Sequence, residues 1–194
     1  MPSSAAPEPG PVRFIMDAWP LLALGVIGAL IIRACVPVHP APPVAGAAAP
    51  FDAATAVRIG NWHALAAFGA LTPESGPKQV LEALNLLVVD FRPGSSALPE
   101  SAEPVLLQAL TVIETRPPSE RYEITGHTDG SGSPLADLEL SRRRAQAVVD
   151  FLVNQGVRSE RLRARGSGDQ DPVASEPGAE SRFRNQRLEF ALQP

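Results

Sequence analysis

The residues of this 194-residue chain best suited to do chemistry are an aspartate and an arginine fifteen positions apart. Asp129 closes Gly126-His127-Thr128-Asp129, and Arg144 stands in Leu140-Ser141-Arg142-Arg143-Arg144-Ala145. A carboxylate accepts hydrogen bonds from an ammonium, and a guanidinium forks onto a carboxylate. Together they form a minimal grip for a zwitterion, and nothing in the pair breaks a bond. The pair reads as a binding site, and the chain is not expected to be an enzyme. His127 invites a metal or nucleophile reading, yet no second histidine or cysteine stands at ligand spacing and no nucleophile motif accompanies it. Its expected role is a structural hydrogen bond, and neither metal nor cofactor is expected. From spacing alone a plainer reading stays open: Asp129 caps the following turn, and Arg144 pairs with Asp137 as a structural ion pair.

The elements that must position this pair lie in the rear half, residues 86–194. The apolar run 86–91 has strand length and is closed by Pro93-Gly94-Ser95. Val105, Leu106, Ala109, Leu110 and Ile113 have helical spacing, and Pro117-Pro118 ends that helix. Residues 122–125 alternate as a strand that runs into the aspartate loop, which Gly130, Ser131, Gly132, Ser133 and Pro134 prolong. Residues 137–154 predict a helix with the apolar stripe Ala145, Val148, Val149 and Leu152, ended by Gly156. Residues 162–166 and 187–192 predict two more strands, with a Gly/Asp/Pro-rich loop between them. The pattern predicts an α/β sandwich, a mixed sheet of about four strands with helices on one face. Helical phase also selects among three adjacent arginines. Positions 137, 141, 144 and 148 share a stripe, so Arg144 faces with Asp137 and Ser141, while Arg142 and Arg143 point to solvent.

The front of the chain differs in composition. Ten of its 21 prolines fall within the first 50 residues. Residues 18–32 are uninterruptedly apolar, and fifteen residues cover about 22 Å of a hydrocarbon core of about 30 Å. Counting back to Phe14 gives about 28 Å, with Trp19 and Pro20 at an interfacial start and Arg33 snorkelling at the far end. The expected layout is a tail over 1–17, a transmembrane anchor over 18–35, a Pro/Ala-rich tether over 36–50 and a helical, membrane-proximal segment of open role over 51–85. Two rival readings remain: a lipoprotein signal modified at Cys35, whose Arg33 at −2 is ill suited, and a cleaved signal, whose n-region is poor in basic residues. Asp17 at the helix edge can simply reach water, or carry an ion. The lone Cys35 excludes an intrachain disulfide, and the net charge of −4 argues against nucleic acid as a partner.

In chain order, Phe91 with Gly94-Ser95 and Leu98, the Gly126–Asp129 motif with Gly132, Asp137, Leu140-Ser141 with Arg144-Ala145, Gly156-Val157, Arg161-Leu162, Gly166, Gly168, Asp171-Pro172 and Arg182 with Asn185-Gln186-Arg187 closely resemble the OmpA-like C-terminal domain family, shared by OmpA, Pal and MotB. The resemblance covers roughly residues 86–192. It implies noncovalent binding of peptidoglycan through the diaminopimelate of its stem peptide. In the family the aspartate matching Asp129 holds the ligand's ammonium and the arginine matching Arg144 its carboxylate, while positions matching Gly94 and Ser131 supply backbone or hydroxyl contacts. Thr128, Ser141 and Arg187 are expected to support them. The position of Asp137 commonly carries asparagine, so the acid here either orients Arg144 or adds a second acceptor. Gln186 replaces the first arginine of the family's Asn-Arg-Arg end. The expected partners are peptidoglycan, a membrane, and either a second copy or an envelope complex, in the periplasm of a diderm bacterium, with the inner membrane favoured. Two alternatives follow from the resemblance: a MotB-like ion-motive stator subunit using Asp17, and a Pal-like outer-membrane lipoprotein.

Overall fold

The computed structural model describes residues 50–194. The expected anchor and the tether up to residue 49 lie outside them, as do the rival readings of an ion-carrying Asp17 and a lipidated Cys35. Among the described residues, no helix is long and apolar enough to cross a membrane.

Helix α1, Ala53–Ala70, starts where Asp52 accepts hydrogen bonds from the amides of Ala54 and Thr55, which satisfies two of the orphan donors of a helix start. Helix α2 spans Pro77–Leu84, opened by proline at a position where its missing N–H costs nothing. A short 3-10 turn leads into α3, Glu103–Glu114. Strand β1, Tyr122–His127, is followed by α4, Pro134–Asn154, and β2, Leu162–Gly168; α5, Ala179–Asn185, precedes β3, Leu188–Leu192. Strand order is β2-β1-β3. β1 runs parallel to β2 through the α4 crossover and antiparallel to β3, so the sheet is mixed.

α4 lies close against β1 and β2 because glycines face it. A Cβ on Gly126 would run into the Ser141 carbonyl, and one on Gly166 would meet the Leu138 carbonyl at 2.6 Å. Ser141, fully buried, uses that proximity: its hydroxyl donates to Leu138 O at 2.8 Å and accepts from the Gly168 amide at 2.9 Å. One buried cluster contains Ile124, Phe190, Val148, Leu152, Leu106 and Ile113. α1 and α2 add Ala64, Phe68, Val80, Ala83 and Leu84 to it.

The structure corrects the expected sheet of about four strands to three. Residues 86–91 do bury alternate side chains, Leu87, Val89 and Phe91, but they join no ladder. Side chains take the place of a partner strand. Val88 N donates to Asn61 Oδ1 at 2.9 Å, and the Asn85 amide both donates to Phe190 O and accepts from Phe190 N on β3. The second correction is α5, where the expected loop forms a helix of seven residues, with Asn185 binding the backbone of Val173 and Ala174. Too short and too polar for apolar periodicity, it carries no helical signal in the sequence.

Candidate functional site

Arg144 projects from the buried face of α4, four per cent exposed. Its position follows from helical phase: Asp137, Ser141, Arg144 and Val148 are all buried, whereas Arg142 and Arg143 are exposed. The guanidinium is held by a turn. Arg92-Pro93-Gly94-Ser95 closes with Ser95 N donating to Arg92 O, and Gly94 sits at φ +70°, the proline-then-glycine order that a type II turn favours. Arg144 Nε donates to Ser95 O at 2.9 Å and Nη2 to Arg92 O at 3.2 Å, while its carbon lies 5.1 Å from the centroid of the Phe91 ring. Among the described residues no carboxylate lies within 4.0 Å of Arg144. Burial pushes its pKa down, and the charges of Asp129, Asp90 and Asp137 oppose that shift from farther away.

Asp129 leaves the end of β1 half-buried. Its Oδ2 accepts from Gln186 Nε2 at 2.9 Å, and its Oδ1 accepts from the Ser131 amide at 3.3 Å. Burial pushes the carboxyl up, but the hydrogen bonds from Gln186 and Ser131 outweigh burial and hold its pKa below the ordinary aspartate value. Asp129 is therefore an anion at neutral pH. Its direct partners are neutral, and no cation lies within 4.0 Å among the described residues.

The structural ion pair between Arg144 and Asp137 left open by spacing is absent from the described residues. Asp137, buried in the first turn of α4, instead accepts from the Gly132 amide at 3.1 Å and so braces the loop after Asp129. Thr128 is buried; its amide donates to Gly168 O at 2.8 Å while its hydroxyl has no partner. Gly94 lies in the turn beneath Arg144. Ser131 is exposed beside Asp129, with its backbone amide already engaged. Arg187 donates to Asp171 O and Glu189, and its Nη1 is buried without a partner.

His127 is buried between two oxygens. Nδ1 lies 3.2 Å from Gln170 O, and Nε2 lies 3.3 Å from Glu189 Oε2 without hydrogen-bond alignment. Burial first, then the charge of Arg187, pushes its pKa below the ordinary histidine value. Among the described residues no group of three or more His, Cys, Asp or Glu side chains could hold a metal ion.

A small cleft joins these parts. Arg144, Phe91, Asp90, Phe183, Gln186 and Arg187 line it, and Gln186 links it to Asp129. The sequence reading missed two contributors. Gln186 showed itself only as a departure from the family pattern, and the carbonyls that grip Arg144 carry no side-chain signal beyond Pro93-Gly94.

The model of the OmpA family matches residues 90–186, 97 of 194 residues. The probable lipoprotein YiaD of Escherichia coli is 31% identical over 126 residues, 65% of this chain and 56% of that protein. Peptidoglycan-binding protein ArfA of Mycobacterium bovis is 32% identical over 125 residues, 62% of this chain and 38% of that protein. The chain thus spans about half or less of these curated relatives. The crystal structure of the peptidoglycan-associated lipoprotein from Burkholderia pseudomallei superposes on 54% of this chain and 88% of its own, with a TM-score of 0.51 and 28% identity. The matched stretch takes in the Asp129 loop, α4 with Arg144, and Gln186, and on that match this chain belongs to the OmpA family.

Proposed function

We propose that this protein binds cell-wall peptidoglycan noncovalently, through the free end of diaminopimelate in the stem peptide, and tethers the envelope or an envelope machine to the wall. The observation that carries this reading is Arg144: a buried guanidinium, oriented by two turn carbonyls, with no carboxylate beside it among the described residues. A buried charge without a counter-ion is costly, and an incoming carboxylate relieves that cost. Asp129 supplies the complementary anion. The free end of diaminopimelate carries an ammonium and a carboxylate on one carbon, so it satisfies both groups at once. Ser131 and Gly94 border the ligand from their loops, while Asp137, Thr128, Ser141 and Arg187 hold the frame.

The names of relatives support the reading, since one is called peptidoglycan-binding and another peptidoglycan-associated. The sequence ahead of the domain supports the tether. A segment over 36–50 in extended polyproline conformation reaches roughly 45 Å, enough to carry the domain from a membrane anchor over 18–35 toward the wall.

Cosedimentation with purified sacculi tests the proposal. The protein should pellet with diaminopimelate-type walls, free diaminopimelate should release it, and walls carrying lysine at that position should retain it poorly, because lysine lacks the second carboxylate. Asp129→Ala and Arg144→Ala should remain in the supernatant with unchanged circular dichroism. Wild-type pelleting by both variants would sink the site assignment.

A further inference from the structure

Resting on that binding reading, we infer that Gln186 is a specificity-determining residue: it orients the Asp129 carboxylate while leaving its charge uncompensated, so the site demands a cationic group on its ligand. Gln186 stands at the end of α5, half-buried, its backbone amide donating to Arg182 O at 3.0 Å. The preceding residue, Asn185, fixes this position through three hydrogen bonds to Val173 and Ala174. From there the Gln186 amide donates to Asp129 Oδ2 at 2.9 Å.

The same side chain lines the cleft that contains Arg144. It therefore touches the anion of the site and borders the cleft of its cation. Its Oε1 accepts no hydrogen bond among the described residues, which leaves an acceptor beside Asp129 for an ammonium proton. A neutral amide donates to the carboxylate without neutralising it. An arginine in its place would put a fixed positive charge against Asp129, and the ligand's ammonium would have to compete with it. A leucine-like side chain would leave one carboxylate oxygen without its donor.

The test uses three N-acetylated stem tetrapeptides that differ at the third residue: diaminopimelate, 2-aminopimelate, which lacks only the free amine, and lysine, which lacks only the free carboxylate. Calorimetric titration should show the wild type preferring the diaminopimelate peptide over the 2-aminopimelate peptide by about ten-fold or more, the weight of a charged hydrogen bond. Gln186→Arg should bind the diaminopimelate peptide about ten-fold more weakly and lose most of that preference, because its binding of the 2-aminopimelate peptide does not fall in step. Gln186→Met, which keeps the bulk without charge or donor, should lose part of the affinity for the diaminopimelate peptide alone. Thermal melts check that both variants fold. Variants that keep the wild-type ratio would overturn the role of Gln186 while leaving the binding proposal intact. A wild type indifferent to both the amine and the carboxylate would overturn the binding proposal, and this role with it.

Discussion

The two ends of strand β1 hold one buried arginine each, and the two are treated in opposite ways. At the start of the strand, Arg161 is three per cent exposed and its donors are taken: Nε by Glu120 O, Nη1 by Glu114 Oε1, and Nη2 by Ile113 O and Pro117 O. Beside it, Glu120 accepts from Arg116 and from the Tyr122 hydroxyl. At the far end, Arg144 is as deeply buried but meets two carbonyls and no anion. Three of the four buried, unpartnered side-chain atoms among the described residues, on His127, Thr128 and Arg187, cluster at this end. Buried polar groups are ordinarily paired, and a network left incomplete in one place points to a partner from outside. The closed end holds the fold together; the open end is prepared for something else.

The largest effect that separates the ends is on stability. Arg161→Met should cost about 2–4 kcal/mol in denaturant unfolding, since it removes four hydrogen bonds made by a buried guanidinium, one of them to the buried Ile113 carbonyl. Folded Arg161→Met should still bind sacculi. Loss of binding by the folded variant would erase the distinction. Next comes Gly94→Ala. The space there is open, but φ of +70° disfavours a Cβ, so it should cost about 1–2 kcal/mol. Because the same turn supplies both carbonyls that hold Arg144, ligand affinity should fall as well. Unaltered affinity would show that the turn does not orient the guanidinium.

The smallest effect lies in acid sensitivity. His127 at the open end has a lowered pKa in the fold, so its contribution is complete above its ordinary value of 6.5 and is lost as pH falls below that. At the closed end, burial pushes Glu120 up, but hydrogen bonds from Arg116 and Tyr122 prevail and hold it below 4.5. Its contribution is present above 4.5 and is lost only as pH falls further. The urea midpoint should therefore decline in two separate phases. His127→Gln should remove the first phase and leave the second. A single decline below pH 4.5 in the wild type would contradict this ordering.

Much of the open end was legible in the sequence, because its main logic is helical phase. The buried stripe 137, 141, 144 and 148 follows from spacing, and so does the choice of Arg144 over Arg142 and Arg143. The glycines that let α4 approach the sheet were visible as motif residues, though not their purpose, since a close approach is a property of two elements together. The failures share a cause. Residues 86–91 have the length and apolar character of a strand, but Asn61 and Asn85 satisfy neighbouring backbone from distant places, which no local pattern reveals. α5 has too few apolar residues to announce itself, and with it the placement of Gln186 against Asp129 was hidden. Asp137 looked like a partner for Arg144 because the two share a face; the structure gives its carboxylate to the Gly132 amide instead.

The central claim is that Arg144 is held open for a ligand, whereas Arg161 is spent on the fold. Calorimetric titration of meso-diaminopimelate into the wild type, Arg144→Ala and Arg161→Met, each at a temperature where it is folded, tests this most directly. The predicted result is heat of binding from the wild type and Arg161→Met and none from Arg144→Ala, whose unfolding free energy stays within about 1 kcal/mol of wild type. Wild-type binding by Arg144→Ala, or an Arg144→Ala variant destabilised as much as Arg161→Met, would contradict it.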